Sequence, residues 1–194
     1  MLDLSGIDVL IVLASNDFRD EEYREPAEAL ARLKAGVDVA SSSTEMSIGM
    51  LGQRVRPDLL LSEVDVSNYA AVIFVGGRGA EEYFNDPVAH RVARDAFECQ
   101  RFVCAICIAP SILANAGLLK GVSATCYPTE RDNLKAKGAK IVEKGVVRDH
   151  IIITADGPKH AKAFAKSICD ALLETVPEEP ESTAAQEQQI PENP

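Results

Sequence analysis

The stretch FVCAICIAPSILANAGLLKG (102–121) places a thiol where the secondary structure should change. Its first half is continuously apolar, as in a buried strand, and its second half has helical spacing. Cys107 falls at the junction, a position that exposes a side chain as in the nucleophile elbow of hydrolases. The free N–H groups of the following helix favour a thiolate. The sequence therefore predicts a reactive Cys107 with a pKa below about 8.5, although most free cysteines are small core residues.

The pair Cys104 and Cys107 forms a C-x-x-C motif, which invites a redox or zinc interpretation. A thioredoxin-type pair begins a helix, whereas Cys104 falls inside the predicted strand, so a core position is favoured. A zinc site needs two further ligands nearby, and the other cysteines are scattered along the chain, at Cys99, Cys126 and Cys169. We predict neither a metal site nor a disulfide framework.

A double glycine follows another buried apolar run in VGGRGAEEY (75–83). Gly76 and Gly77 do not complete the G-x-G-x-x-G fingerprint, so we predict no dinucleotide and no other cofactor. Glycines let backbone N–H groups approach a ligand closely. Both residues are therefore candidates for a binding turn.

Apolar runs and helical patterns alternate along the chain and must position these residues. Predicted strands cover 7–15, 37–41, 69–77, 101–107 and 122–128, and predicted helices cover 20–36, 86–100, 109–121, 131–139 and 158–174. Residues 140–157 are predicted to form a hairpin, and residues 46–61 a hairpin or an edge excursion. This alternation predicts an α/β domain over residues 1–174, with a mainly parallel sheet and helices on both faces. Residues 175–194 form an acidic tail rich in Pro, Glu and Gln, which is typical of a flexible segment.

The composition narrows the range of partners. The net charge of −10 argues against nucleic-acid and anionic-membrane binding, because both depend on clustered Lys and Arg. No apolar run reaches about 18 residues, so no transmembrane helix is expected. The N-terminus lacks the basic region of a signal peptide. We expect a cytoplasmic protein whose partner is a small molecule.

Three blocks, AVIFVGGRGAEEY, AICIAPSILANAGLLKG and ATCYP, resemble the ThiJ/PfpI superfamily. The resemblance runs from about residue 7 to residue 174. The positions that match the family's cysteine motif are Ala105, Ile106, Cys107, Pro110, Leu113, Ala114, Ala116, Gly117, Leu118, Leu119 and Gly121. The resemblance implies a flavodoxin-like, glutamine-amidotransferase-like three-layer sandwich with Cys107 on a nucleophile elbow, and a homo-oligomer, as a dimer or larger.

The resemblance also assigns roles around the cysteine. Glu22 stands four residues before Pro26, which is the family register of a glutamate that reaches the cysteine sulfur as a protonated acid. Such a carboxyl should have a raised pKa and titrate together with the thiol. Without the resemblance, Glu22 is one more acid in an acidic first helical turn. The amides of Gly77 and Ile108 take the place of oxyanion donors.

The sequence departs from the family at its histidines. The protease-like branch has histidine directly after the cysteine, where this chain has Ile108. That branch also uses a glutamate from a neighbouring subunit, at a position that matches Glu81. The deglycase branch has histidine where this chain has Tyr127. His160 follows Pro158 in a segment that borders the cysteine pocket in the family, so it could supply a base.

Four functions stay open from the sequence. The first is a glyoxalase- or deglycase-like thiol enzyme in which Cys107 attacks a small reactive carbonyl. The second is a stress protein that senses oxidation through a Cys107 sulfinate. The third is a cysteine hydrolase, which Ile108 disfavours because isoleucine cannot accept a proton. The fourth is a scaffold that has kept the fold and lost its chemistry.

Overall fold

The structure, a computed structural model, describes residues 3–176. Its strands are β1 (Asp8–Val12), β2 (Asn16–Phe18), β3 (Gly36–Ser41), β4 (Ser47–Gly49), β5 (Arg54–Val55), β6 (Leu59–Leu60), β7 (Ala71–Phe74), β8 (Phe102–Ile106), β9 (Ser123–Ala124), β10 (Lys140–Ile141), β11 (Val146–Asp149) and β12 (Ile152–Ala155). Its α-helices are α1 (Asp20–Arg32), α2 (Pro87–Glu98), α3 (Pro110–Asn115), α4 (Arg131–Ala136) and α5 (Ala161–Leu173). Most of the predicted flexible tail, residues 177–194, lies outside the described residues.

A seven-stranded sheet forms the centre of the molecule, in the order β11-β12-β8-β7-β1-β3-β6. All neighbours in it are parallel except β11 and β12, which form an antiparallel hairpin. The central strands β7, β8 and β12 are buried along their whole length. Continuous apolar strands of this kind need cover on both faces, which confirms the predicted three-layer α/β sandwich.

The helices supply that cover. Helix α1 packs against α5, and α2 packs against α3 and the central strands β7 and β8. Asp86 caps α2 by accepting hydrogen bonds from the N–H groups of Val88 and Ala89, and Pro87 occupies the first turn as predicted. No helix among residues 3–176 is long and apolar enough to cross a bilayer.

Several predicted boundaries differ from the observed ones. The helix predicted over 109–121 stops at Asn115, and Gly117 with φ 87° turns the chain away two residues later. The helix predicted from Pro158 begins with a 3₁₀ turn, so α5 starts at Ala161. In the predicted hairpin 140–157 only β11 and β12 pair antiparallel, because β10 pairs in parallel with β9. The 46–61 stretch does contain a hairpin, β4 with β5.

Candidate active site

Cys107 lies immediately after β8, at the carboxyl edge of the parallel sheet. Its φ of 65° is in the left-handed region, which non-glycine residues rarely adopt and which marks the elbow. The main chain holds this conformation from two sides. The N–H of Cys107 donates to the carbonyl of Ala155 at 2.9 Å, and the carbonyl of Cys107 accepts from the N–H of Tyr127 at 2.8 Å. The side chain is 8% exposed.

Glu22, in the first turn of α1, is fully buried beside the thiol. Its Oε2 accepts a hydrogen bond from the N–H of Gly76 at 3.1 Å. The carboxyl group also lies beside the Cys107 thiol, close enough for each group to shift the pKa of the other. Its other oxygen, Oε1, has no further partner among the described residues. The structure thus brings together the carboxyl and the thiol that the family register pairs.

Gly76 is what lets the two groups meet. A Cβ on Gly76 would lie 2.5 Å from Glu22 Oε2 and 2.6 Å from the Cβ of Cys107. Contacts below 3 Å do not occur for real side chains, so no larger residue fits without displacing the pair. Close approach of the backbone therefore explains the first of the two glycines.

Burial dominates the titration of the pair. It raises the pKa of Glu22 to about 8, so that this carboxyl holds its proton at neutral pH. Burial, and then the charge of the Glu22 carboxylate, raise the pKa of Cys107 to about 12. This direction is opposite to the lowered pKa predicted from the elbow position. The prediction weighed the helix N-terminus alone, whereas the sulfur is enclosed by protein and faces a carboxyl group.

Two backbone donors act against that rise. The N–H groups of Gly77 and Ile108 face the sulfur and lower the pKa of the thiol. Gly77 has φ 94°, and a Cβ there would lie 2.3 Å from the backbone nitrogen of Arg19. The Arg19 N–H in turn donates to the carbonyl of Gly76 at 3.0 Å. The turn after β7 is therefore packed directly against the start of α1.

A cavity of about 290 Å³ opens above the thiol. Its walls are formed by Arg19, Met50, Gly77, Arg78, Glu81, Cys107, Ile108, Tyr127, Thr129 and Pro158. The predicted auxiliary residues Glu81, Tyr127 and Pro158 are thus present at its wall, and Glu22 and Gly76 lie beside its base at the sulfur. Among residues 3–176 no group of three or more His, Cys, Asp or Glu side chains is placed to hold a metal ion.

The His160 side chain does not reach the cavity. Its Nδ1 pairs with Asp156 Oδ1 at 2.5 Å, and its ring packs against Gly145, where a Cβ would lie 2.5 Å from the imidazole. It is not among the described residues that line the cavity, and neither is any other histidine. His90 is half-buried and pairs with a backbone carbonyl, and His150 is 94% exposed in a turn.

The remaining cysteines are separate from this cavity. Cys104 is fully buried within β8, as the core interpretation of the C-x-x-C motif predicts. Cys126 is 1% exposed and Cys169 is 6% exposed, whereas Cys99 is exposed at the end of α2. The described cysteines form no disulfide.

Sequence reasoning missed four wall residues. Arg78 lies inside the block AVIFVGGRGAEEY, Thr129 directly follows the block ATCYP, and Arg19 stands three residues before Glu22, so that adjacency was the available signal. Met50 comes from a turn that no motif marks.

Met50 reaches the cavity because its hairpin is tied to α1. Asp20, 2% exposed, accepts hydrogen bonds from the N–H of Leu51 at 2.8 Å and from the N–H of Gln53 at 2.7 Å. The β4–β5 turn is thereby fixed beside the site, and Met50 remains 44% exposed on it.

The chain is similar to known proteins in sequence and in fold. The sequence profile of the DJ-1/PfpI family matches residues 8–171. An uncharacterized protein of Methanocaldococcus jannaschii is 35% identical over 88% of this chain and 84% of its own length. Deglycase PfpI of Pyrococcus furiosus is 29% identical over 84% of this chain and 98% of its own. A glutathione-independent glyoxalase of Caenorhabditis elegans is 30% identical over 84% of this chain and 87% of its own length.

Solved structures show the same fold. A ThiJ/PfpI domain protein from Brachyspira murdochii superposes with a TM-score of 0.86 at 30% identity, covering 89% of this chain and 99% of that chain. Toxoplasma gondii DJ-1, in an oxidized form, superposes with a TM-score of 0.77 at 30% identity, and the match covers 86% of this chain and 90% of that chain.

Proposed function

The chain belongs to the DJ-1/PfpI family, and from that premise we propose that it is a thiol enzyme acting on small reactive carbonyls, of the glyoxalase or deglycase type. The observation that carries the proposal is the contact between the buried Glu22 carboxyl and the Cys107 thiol at the base of an open cavity. Relatives of similar length are named for both activities.

The first step is addition of the thiol to the aldehyde carbon of a substrate such as methylglyoxal. A carbon–sulfur bond forms, the carbonyl becomes a hydroxyl, and the S–H proton ends on that oxygen. Glu22 holds a proton at neutral pH, so it can donate one proton to the oxygen and accept another from sulfur. In this proposal the N–H groups of Gly77 and Ile108, which lie beside the sulfur, stabilise the charge that develops on oxygen.

The later steps need proton transfers and one water molecule. The proton on the hemithioacetal carbon moves to the adjacent ketone carbon through an enediol, which leaves a thioester of lactate. Water then hydrolyses the thioester, releasing lactate and the free thiol. Glu22 is the described acid–base group nearest to the sulfur and serves each transfer, so no histidine is needed in this scheme.

The test is lactate formation from methylglyoxal. We expect Cys107→Ser to lose activity to the uncatalysed background, and Glu22→Gln to lose at least tenfold, because an amide cannot relay a proton. Cys99→Ser, at an exposed position on the far end of α2, is the matched control and should retain full activity. Turnover by Cys107→Ser at the wild-type rate would refute the proposal.

A second candidate, oxidation sensing, is favoured by the donors around the sulfur. A sulfinate at Cys107 would meet the Glu22 acid and the N–H groups of Gly77 and Ile108, which already face the sulfur. Two equivalents of hydrogen peroxide convert the thiol to the sulfinic acid and release two water molecules. Peroxide titration with peptide mass analysis tests this. The idea fails if Cys107 gains oxygen no faster than the exposed Cys99.

A further inference from the structure

Two arginines that the proposed reaction does not use, Arg19 and Arg78, line the cavity above Cys107, together with Gly77 and Ile108. Among the described residues of the wall, Glu81 is the single carboxylic acid. In a chain of net charge −10, two arginines at the mouth of one small cavity need an explanation.

Arg19 is held rigidly. Its Nε and Nη2 donate to the two oxygens of Glu21 at 2.8 Å and 3.1 Å, and its backbone N–H is bound to Gly76. The side chain is 29% exposed, and within the described part of the chain its Nη1 makes no hydrogen bond. A two-point salt bridge fixes the plane of the guanidinium and leaves that nitrogen available to a ligand.

Arg78 directly follows Gly77 in the turn after β7, and its side chain is held more loosely than that of Arg19. Its Nη2 pairs with Asp17 Oδ2 at 2.6 Å, and the side chain is 71% exposed. The carboxylates of Asp17 and Glu21 are each engaged by one arginine, and Glu22 keeps its proton at neutral pH. Both arginines therefore keep guanidinium N–H groups that are not used in these salt bridges and are available to a ligand.

Resting on the proposed function, we propose that this site selects carbonyl electrophiles that carry an oxyanion, carboxylate or phosphate, near the reacting carbon. Arg19 and Arg78 are then the residues that determine specificity. The oxyanion accepts hydrogen bonds from the free N–H groups of both arginines. Meanwhile the sulfur adds to the carbonyl carbon, and the S–H proton passes through Glu22 to the carbonyl oxygen. The addition needs no oxidant or other co-reactant.

Alkylation with two reagents of nearly equal shape tests the charge preference without relying on turnover. Iodoacetate and iodoacetamide both lose iodide to the sulfur and differ by one negative charge. The iodoacetate to iodoacetamide rate ratio at Cys107, divided by the same ratio at the exposed Cys99, measures the preference. We expect it to fall about threefold to fivefold in Arg19→Gln and in Arg78→Gln, in keeping with partly exposed ion pairs.

Matched variants separate this effect from general damage. Glu81→Gln and Glu21→Gln should raise the ratio, because each removes a negative charge at or beside the cavity. Arg24→Gln, on the same helix but away from the cavity, should leave the ratio unchanged. A ratio that stays the same in both Arg19→Gln and Arg78→Gln overturns the inference.

Reversible protection of Cys107 from iodoacetamide identifies the oxyanion. Glyoxylate is compared with methylglyoxal, and glyceraldehyde 3-phosphate with glyceraldehyde. We expect at least one anionic member to protect at a concentration about fivefold lower than its neutral partner, and the better protector shows whether carboxylate or phosphate is preferred. Equal protection within both pairs overturns the charge preference alone. A Cys107 that reacts as slowly as buried Cys104 and is protected by no aldehyde overturns the proposed function as well.

Discussion

Replacing Glu22 with glutamine should make the Cys107 thiol easier to ionise above pH 8. In the wild type Glu22 is an anion in that range, since its pKa is raised to about 8, and it lies beside the Cys107 thiol. Its charge is one cause of the Cys107 pKa near 12. Glutamine has nearly the same shape as glutamate and can still accept the hydrogen bond from the N–H of Gly76, but it carries no charge.

The size of the effect follows from Coulomb's law. Two unit charges about 4 Å apart interact by about 4 kcal/mol at an effective dielectric constant of about 20, which corresponds to roughly three pKa units. At pH 9 the thiolate fraction should therefore rise about five-hundredfold, because a thiol of pKa near 9 is only half ionised there. A thiolate of lower pKa is a weaker nucleophile, which removes about a factor of thirty. The net expectation is an alkylation rate about fifteenfold higher than in the wild type.

The assay is the iodoacetamide rate at Cys107 against pH, resolved from the other cysteines by peptide mass spectrometry. The difference between Glu22→Gln and wild type should be large at pH 9 and shrink below pH 7, where Glu22 is protonated. Glu28→Gln, on the same helix and exposed, is the control and should follow the wild type. A Glu22→Gln rate at pH 9 that equals or falls below that of the wild type would refute the electrostatic reasoning.

Three further predictions concern stability. Because the pKa of Glu22 is raised from 4.5 to about 8 in the folded state, its contribution to the free energy of unfolding is lost as pH rises from about 4.5 through about 8, by at most ~5 kcal/mol. Urea unfolding should show Glu22→Gln gaining stability relative to the wild type between pH 6 and pH 9, and a difference that does not change with pH would contradict this. Gly76→Ala should destabilise by about 2 kcal/mol or more and slow alkylation of Cys107, because the new methyl overlaps both site residues; unchanged melting and alkylation would show that the pair can move apart. Asp20→Asn should cost about 1–2 kcal/mol and speed proteolysis near Met50, because the hairpin loses charge-assisted acceptors; an unaltered cleavage pattern would argue against that anchor.

Prediction from the sequence succeeded where the pattern is local. The apolar run ending at Cys107, followed by helical spacing, was enough to place the elbow, because strand burial and helix initiation are properties of neighbouring residues. The pairing with Glu22 needed the family register, since nothing in an acidic first turn says which carboxyl points inward.

The rest depends on contacts between distant parts of the chain. The direction of the Cys107 pKa shift arises from burial by segments that meet only in the folded protein. The same is true of Met50, which reaches the cavity through the Asp20 hydrogen bonds to its hairpin. His160 shows the converse, because its place after Pro158 suggested a base at the pocket, whereas its side chain turns to Asp156.

The main-chain hydrogen bonds of Cys107 decide which parts of the site can move. Because its N–H and its carbonyl are both engaged, to Ala155 and from Tyr127, the elbow can shift only if two elements separate at once. Access to the cavity then depends on its rim, where Met50 and Tyr127 are 44% and 43% exposed. Slow amide exchange at the elbow, together with rapid side-chain motion at the rim, would be the dynamic signature of this arrangement.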